Sequence, residues 1–384
     1  MQIAIISDGV HPYVMGGMQR HTYYLVKYLS RMGIKVTLVH FNLSDMDIYK
    51  LDVFTEQERS NIESIVIDFP KGDGLPGHYV RASYKYACLV YERLKERLSS
   101  FDFIYTKGFS GWRIIEEKKR NPKALPPIGV KFHGYEMFQK QADVKSLLKS
   151  YLLRKPVRWI SLNADYVFSY GSKITDIIRS LGVSTSQIVE IPAGIEKEWI
   201  RDTEPSVNAI RKFVYLGRYE RRKGIEELNK VLVKLAGQKQ AFECHFIGPF
   251  TEQQKIHLPG IYYHGSITNN DKIRSLLDAA DFLVCPSWSE GMPNVILEAM
   301  SRACAIIATD VGATSIMVGQ DNGLLVETGN IEDLERQFKL AIEMPEARLL
   351  SLKLSSLNKV KEKFVYERIL DKFVNSIQTI IQKS

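Results

Sequence analysis

The sequence predicts an α/β protein made of two doubly wound domains, each built on a parallel sheet. Short β-branched runs alternate with longer amphipathic stretches along the whole chain, which is the pattern of repeated βαβ units. At 384 residues the chain is too long for one ordinary core and long enough for two domains of similar size. The strand-like runs also fall into two sets, and each set is sufficient for its own sheet.

The first set predicts strands at 3–7, 35–41, 64–69, 103–106, 129–132, 166–170 and 188–191. The second set predicts strands at 213–217, 242–247, 261–264, 282–285, 305–309 and 324–326. The turn at 192–196 and the polar stretch 202–208 between them are typical of a linker. We therefore expect an N-terminal domain at 1–194, a C-terminal domain at 195–365 and, from apolar residues at helical spacing, an amphipathic helix at 366–384.

Composition indicates a soluble globular protein, with 45% hydrophobic and 25% charged residues. The net charge of +8 favours polyanionic partners in general: nucleotides, anionic lipid surfaces or nucleic acid. The N-terminus reads as a first strand, not as a signal peptide, and no apolar run approaches the ~20 residues that span a bilayer. The cysteines form no CxxC pair, which predicts buried thiols in a reducing, cytoplasmic setting without a structural metal: Cys88, Cys244, Cys285 and Cys304.

Two carboxylates eight residues apart, Glu290 and Glu298, mark the most informative segment. The strand before them is closed by Pro286, and Pro293 suits the first turn of a helix that continues through Met300. Ligands of doubly wound sheets bind beyond the carboxyl ends of strands, where a carboxylate can accept hydrogen bonds from a vicinal diol. The segment therefore indicates a sugar site, although a solvated loop Glu and a first-turn Glu favoured by the helix dipole would look the same.

Cations and glycines follow other strand ends. Arg218 comes after the strand-ending Gly217, and Lys223 precedes a helix predicted to begin near Ile225, whose free amides would bind phosphate. The neighbouring Arg221 and Arg222 are more typical of a solvated charge run. Two further features follow strands of the first set. The glycine pair Gly16 and Gly17 permits close approach of backbone amides to a ligand, and His133 lies at the end of the strand 129–132.

These motifs together resemble the retaining glycosyltransferases of the GT-B fold, and more narrowly the group-1 (glycogen synthase and sucrose synthase-like) family. The resemblance extends over nearly the whole chain and rests on several short motifs in the right order: Asp8-Gly-Val-His-Pro12 with Gly16-Gly17, His133-Gly134, Ile191-Pro-Ala-Gly-Ile195, Leu216-Gly-Arg218 with Lys223-Gly224, Phe246-Ile-Gly248, His264-Gly265, Pro286-Ser-Trp-Ser-Glu-Gly291, Glu298-Ala-Met300 and Ala308-Thr-Asp-Val-Gly312. The chain departs from the family pattern at Ala193, Ala303 and Ala305, which bears on hinge geometry and packing.

The resemblance implies two Rossmann-like domains facing across a cleft. It also implies retaining transfer of a sugar from a nucleoside-diphosphate sugar, UDP before GDP, to a glycan or lipid-linked acceptor in polysaccharide or glycolipid biosynthesis. The leaving phosphate would act as base, and neither a metal nor a cofactor would be required. The C-terminal helix would pack back on the first domain.

The same resemblance implies roles for individual residues. Glu290 would bind sugar hydroxyls, Glu298 the ribose, and His133 the donor sugar near the reacting centre. The expected catalytic residues are His133, Glu290, Arg218 and Lys223. The expected donor-binding residues are Gly16, Gly17, Gly217, Arg218, Lys223, Gly248, Gly291, Met292 and Glu298.

Other interpretations stay open at this point. The segment 140–158 mixes lysines and arginines with leucines and is either a membrane-surface helix or a core-facing helix with a cationic outer face. Asp45-Met-Asp47, the one DxD near a strand end that would suggest a metal, is expected to be a solvated turn. A sugar-nucleotide epimerase or a sugar phosphorylase would share the fold, and a basic nucleic-acid-binding protein is the non-enzymatic alternative, without a recognisable motif.

Overall fold

A computed structural model describes residues 1–383 and contains two all-parallel sheets. The first sheet has the order β3-β2-β1-β4-β5-β6-β7, and the second has the order β10-β9-β8-β11-β12-β13. The predicted α/β fold class is confirmed, and a strand lies at each of the thirteen predicted places: β1 Gln2–Ile6, β2 Lys35–His40, β3 Ile62–Val66, β4 Phe103–Lys107, β5 Ile128–Lys131, β6 Tyr166–Ser169, β7 Ile188–Glu190, β8 Arg211–Leu216, β9 Phe242–Ile247, β10 Ile261–Tyr263, β11 Phe282–Cys285, β12 Ala305–Thr309 and β13 Gly323–Val326.

Helices connect the strands and cover both faces of each sheet. They are α1 Gly17–Arg31, α2 Glu56–Arg59, α3 His78–Leu94, α4 Trp112–Arg120, α5 Val144–Asn163, α6 Lys173–Ser180, α7 Ile225–Gly237, α8 Asn270–Asp278, α9 Asn294–Ser301, α10 Thr314–Met317, α11 Ile331–Glu343, α12 Glu346–Lys363 and α13 Tyr366–Lys383. Short 3₁₀ turns at Glu136–Phe138 and Arg221–Lys223 lie at the carboxyl edges of the two sheets.

Each sheet has one topological switch point, where the order of strands reverses direction along the chain. In the N-terminal domain it lies between β1 and β4, and in the C-terminal domain between β8 and β11. Loops that leave neighbouring strands diverge at such a point and open a crevice. Hydrogen bonds and close contacts join the carboxyl-edge loops of the two sheets, so the two edges face each other across one cleft.

Two chain crossings join the domains and hydrogen-bond to each other. Ile195 donates its amide to Phe364 O (2.8 Å), and Tyr366 donates back to Ile195 O (3.0 Å). Beyond this crossing, α13 buries an apolar stripe against the N-terminal sheet and α1. Phe373, for example, packs edge-on against Tyr105 with ring centroids 5.2 Å apart. The final helix therefore ties the end of the chain to the N-terminal domain.

Solvent exposure bears on three of the sequence-based expectations. Cys88 is only half-buried, whereas the other three cysteines are buried. The segment 140–158 does not form a fully core-facing helix, because Val144 and Leu148 on the first half of α5 are 72% and 64% exposed. Asp45 and Asp47 lie exposed in a turn, as predicted.

Candidate functional site

The Glu290 carboxylate lies in the loop between β11 and α9 and is only 7% exposed. Its Oε1 accepts hydrogen bonds from Lys223 Nζ (2.6 Å) and Ser287 Oγ (2.8 Å), and its Oε2 lies 3.6 Å from Arg222. Burial alone would raise the pKa of Glu290, but the charges of Lys223 and Arg222 outweigh that effect and lower it. Glu290 is therefore an ionised carboxylate held between two cations at the β8/β11 switch point.

Of the four cations in the segment 218–223, Lys223 and Arg222 face Glu290, whereas the sequence analysis selected Lys223 and Arg218. Lys223 points inward, as expected. Arg218 is 69% exposed and pairs with Glu220 (2.9 Å), away from Glu290. Arg221 pairs with Glu227 (2.7 Å), whereas Arg222, which the sequence grouped with it as a solvated residue, turns toward Glu290. Phosphate binding by Arg218 stays a prediction, and Arg222 joins the candidate site.

Two of the helices that begin at the switch points, α1 and α7, follow a glycine and lack side-chain caps. Gly16 precedes α1 and Gly224 precedes α7, and neither can accept from the first amides of its helix. Some other helices do carry such caps, since Asp143, Asn269 and Asn330 accept amides at the starts of α5, α8 and α11, but α3, α4, α6 and α9 are uncapped like α1 and α7. Uncapped amides together with the helix dipole favour an anion, so both crevice helices offer groups suited to phosphate.

His133 follows β5 and faces the glycine pair. Its Nδ1 is 2.9 Å from the Tyr170 hydroxyl, and a β-carbon added to Gly17 would lie 3.4 Å from its Nε2. Burial, reinforced by the nearby Lys107 charge, lowers the pKa of His133 to about 3. The imidazole is thus neutral at physiological pH and can act as a hydrogen-bonding group but not as an imidazolium acid.

The two domains touch at the glycine that follows Glu290. A β-carbon on Gly291 would lie 1.8 Å from the carbonyl oxygen of His133, so only glycine permits this approach. The next residue, Met292, is buried, and its sulfur lies 3.0 Å from the amide of Ala193 in the interdomain turn. The predicted sugar residues Glu290, Gly291 and His133 are therefore brought together across the cleft.

Glycine turns at the ends of β8 and β9 lie on the side of the cleft that the C-terminal domain forms. Gly217 donates its amide to Ile247 O (2.9 Å), and Gly248 donates to Gly265 O (2.9 Å). A side chain at Gly248 would collide with Gly217 O, 1.9 Å from its β-carbon position. The turns predicted to contact the nucleotide thus lie side by side at the carboxyl edge of the second sheet.

Glu298 is buried in α9 and is engaged by a residue that sequence reasoning missed. Arg20 on α1, in the other domain, donates to its Oε1 at 2.7 Å. The guanidinium also lies over the Trp199 ring at 5.5 Å. No local motif pointed to Arg20. Glu298, the residue expected to bind the ribose, therefore forms an ion pair between the two domains.

Replacing Arg20 by alanine is expected to tighten nucleoside-diphosphate binding by about 3- to 10-fold. The reason is that a ribose diol and Arg20 would compete for the same carboxylate, and a partly exposed ion pair contributes roughly 1 kcal/mol. Calorimetric titration of wild type and variant measures the ratio. Weaker binding by the variant would instead mean that Arg20 contacts the nucleotide directly.

A second group missed by the sequence analysis is a pair of buried lysines below His133. Lys107 and Lys131 end β4 and β5 and are paired in register. Lys107 Nζ donates to Thr22 Oγ1 (2.7 Å) in the first turns of α1, and Lys131 Nζ donates to Ile191 O (3.1 Å). Burial lowers the pKa of Lys131 to about 7 and that of Lys107 well below its usual range. The pair fixes the start of α1 and the strand ends beneath the cleft.

Across residues 1–383, no three or more His, Cys, Asp and Glu side chains are grouped so that they could hold a metal ion. Over the same residues, no helix has the length and apolar character needed to cross a membrane.

Comparisons with known proteins identify the family of the chain. A family model described as Glycosyltransferase Family 4 matches residues 15–199, and one described as Glycosyl transferases group 1 matches residues 210–343. The chain is 30% identical over 331 residues to the Bacillus subtilis protein assigned to teichuronic acid biosynthesis as glycosyltransferase TuaC, covering 80% of this chain and 81% of that one. It is 38% identical over 347 residues to an uncharacterized glycosyltransferase of Methanocaldococcus jannaschii, covering 88% of each.

Among solved structures, sucrose-phosphate synthase from Thermosynechococcus elongatus superposes over the full length of both chains, with a TM-score of 0.76 at 18% identity. That likeness concerns the fold, whereas the sequence relatives establish the family. The chain belongs to the group-1 (family 4) glycosyltransferases and has their GT-B fold.

Proposed function

We propose that this glycosyltransferase moves a sugar from a nucleoside-diphosphate sugar to a hydroxyl acceptor with retention of anomeric configuration and without a divalent metal. The observation that carries the proposal is the cluster of Lys223, Arg222 and Glu290 at the β8/β11 switch point, directly opposite His133. Cations and an anion held in fixed positions suit a reaction that separates charge. A UDP-sugar is the first choice of donor and a GDP-sugar the second.

The charges match the expected transition state. As the bond between the anomeric carbon and the phosphate oxygen breaks, positive charge develops on the sugar and negative charge on the diphosphate. Lys223 and the free amides of α7 would stabilise the diphosphate, and the Glu290 carboxylate would face the sugar. Such groups need no reorganisation during the reaction, which is what makes them effective.

The acceptor hydroxyl would attack the same face of the sugar that the diphosphate leaves. Its oxygen forms the new bond to the anomeric carbon, and its proton passes to the departing phosphate oxygen, which becomes the free nucleoside diphosphate. Glu290 is poorly placed to be a nucleophile, because Lys223 and Ser287 both donate to its Oε1 and Arg222 faces its Oε2. His133, being neutral, would donate or accept one hydrogen bond to the donor sugar.

A thermal-shift panel of UDP, GDP, ADP and their common sugar conjugates, run in EDTA, tests donor binding. One base should raise the melting temperature, and the shift should be unchanged when Mg²⁺ is added. Stabilisation that appears only with Mg²⁺ would contradict the metal-free proposal. No shift with any nucleotide would leave donor binding unsupported.

The acceptor side offers a surface suited to anionic lipid. The first half of α5 exposes Leu148 (64%), Tyr151 (54%) and Leu152 (50%), and Lys145 and Lys149 on the same half are also exposed. A helix that shows apolar and basic residues together to solvent is typical of contact with an anionic membrane surface. We infer a peripheral position at the inner face of the membrane and a lipid-linked or polysaccharide acceptor. The relationship to a protein of teichuronic acid biosynthesis supports the polysaccharide assignment.

The double substitution Leu148→Glu, Leu152→Glu is expected to reduce binding to anionic vesicles at least 10-fold, since it removes two insertable side chains and adds two negative charges. Co-sedimentation with phosphatidylcholine vesicles, with and without phosphatidylglycerol, measures the effect. Leu340→Glu on α11, at a similarly exposed leucine (49%), is the control. Sedimentation that does not depend on lipid charge, or no sedimentation of the wild type, would contradict the membrane assignment.

A further inference from the structure

The side chain of Gln139, in the N-terminal domain, hydrogen-bonds to both the carbonyl oxygen and the amide of Glu290. Gln139 follows the 3₁₀ turn Glu136–Phe138, and its Nε2 donates to Glu290 O at 2.6 Å. The amide of Glu290 in turn donates to Gln139 Oε1 at 3.3 Å. The side-chain amide of Gln139 therefore pairs with both backbone groups of the candidate catalytic residue from across the cleft.

The same amide is also tied to the His133 segment. Gln139 Nε2 donates to Gly134 O at 2.7 Å, directly after His133. Gln139 thus connects the two loops that carry Glu290 and His133, at the place where Gly291 abuts the His133 carbonyl. Two other hydrogen-bonded contacts between the domains involve neither residue: Lys173 pairs with Asp310 (2.8 Å), and Ser172 bonds Ser315 (2.6 Å).

We propose that Gln139 is a positioning residue that holds the sugar half of the donor site together across the cleft. The inference rests on the proposed function and deepens it. The nucleotide and diphosphate would bind to groups of the second sheet and of α7, which Gln139 does not touch. The sugar would need Glu290 and His133 at a fixed separation, which Gln139 sets. Affinity for the bare nucleoside diphosphate is then independent of Gln139, whereas the additional affinity contributed by the sugar depends on it.

Gln139→Ala removes all three hydrogen bonds. Loss of two or more neutral hydrogen bonds corresponds to roughly a 10-fold loss of affinity. We expect the affinity for the nucleotide sugar to fall by this factor. The kcat for release of the nucleotide from the nucleotide sugar should fall further, because transition-state contacts depend most on alignment. Affinity for the nucleoside diphosphate should stay within about twofold of wild type.

Gln139→Glu provides a signature that a merely structural role would not show. As a carboxylate, the new side chain would face the carbonyl oxygens of Glu290 and Gly134 and repel both. As a carboxylic acid it could again donate to Glu290 O and accept from the Glu290 amide. Burial beside two carbonyl oxygens raises a carboxyl pKa above its ordinary value of about 4.3. The variant should therefore recover sugar-dependent binding, relative to wild type at the same pH, as the pH falls from 8 to 5.5.

The surrounding charges act on that new carboxyl in both directions. The charged groups on its own segment, on the opposite loop and around the neighbouring crevice are Glu136, Lys140, Lys173, Asp176, Arg222, Lys223, Glu290 and Asp310. The cations favour the carboxylate and the acids favour the protonated form, so they shift the pH of recovery without changing its direction.

Isothermal titration of wild type, Gln139→Ala, Gln139→Glu and Lys173→Ala decides the question. The probes are the nucleoside diphosphate that gives the largest thermal shift and its best-stabilising sugar conjugate. Lys173→Ala removes a different cross-domain contact and should leave both affinities unchanged. Equal loss for nucleotide and nucleotide sugar in Gln139→Ala, no loss for either, or no pH-dependent recovery in Gln139→Glu would overturn the inference. A wild type that binds no nucleotide at all would overturn the proposed function as well.

Discussion

Replacement of Lys223 by alanine is expected to weaken binding of the nucleoside diphosphate by about 10- to 100-fold. A hydrogen bond to a charged group contributes about 1.5–3 kcal/mol, which corresponds to that range. Lys223 is 20% exposed and already points into the crevice, so it needs little rearrangement to reach a phosphate. Titration calorimetry in EDTA measures the loss directly.

The same substitution should also lower the stability of the ligand-free protein. It leaves the Glu290 carboxylate buried with Ser287 and the more distant Arg222 as its remaining partners. Removing one member of a buried ion pair is strongly destabilising. Arg221→Ala is the matched control, because it removes the same charge from the same turn but breaks a pair with Glu227 outside the crevice. Equal nucleotide affinity in the Lys223 variant and the Arg221 variant would contradict the assignment of Lys223 to phosphate.

Glu290→Gln is expected to give the opposite pattern, with nucleotide binding retained and turnover lost. Glutamine has nearly the same shape and can still accept from Ser287, so the fold of the loop should persist. Lys223 loses its partner and stays free for phosphate. The negative charge facing the sugar is gone, and loss of one preorganised electrostatic group lowers kcat by about 10² to 10³-fold.

The turnover of Glu290→Gln is measured as release of nucleoside diphosphate from the nucleotide sugar. Its affinity for the bare nucleotide is measured by titration in parallel. Glu226→Gln is a suitable control, since Glu226 lies at the start of α7 and pairs with Arg221 at 3.4 Å. Turnover within a few-fold of wild type would remove Glu290 from the catalytic residues. Loss of nucleotide binding together with turnover would place Glu290 in the phosphate site instead.

The strands were the most predictable part of the molecule. Buried parallel strands are short β-branched runs bounded by turn residues, and this local signal found all thirteen, including the three-residue strands β7 and β10. The two-domain arrangement followed from their division into two sets. The exposure of α5 did not follow, because a leucine-rich helical pattern is the same whether a neighbouring element covers it or solvent does.

The site residues could be predicted only where they lie in one loop and form a local sequence motif. Glu290, Gly291 and Lys223 follow strand ends and share recognisable local motifs. Arg20 and Gln139 act across the cleft, 278 and 151 residues from the carboxylate or backbone they contact, and such distances leave no local pattern. The choice between Arg218 and Arg222 was also hidden, because the 3₁₀ turn at Arg221–Lys223 decides which side chain faces inward.

A crystal structure of the protein with its nucleotide sugar, grown in EDTA, tests the central claim most directly. We expect the diphosphate within hydrogen-bonding distance of Lys223 and the first amides of α7, and the sugar hydroxyls on Glu290 opposite His133. We also expect the ribose to break the Arg20–Glu298 pair. A nucleotide bound away from the β8/β11 switch point, or a diphosphate that contacts neither Lys223 nor α7, would contradict the proposed function.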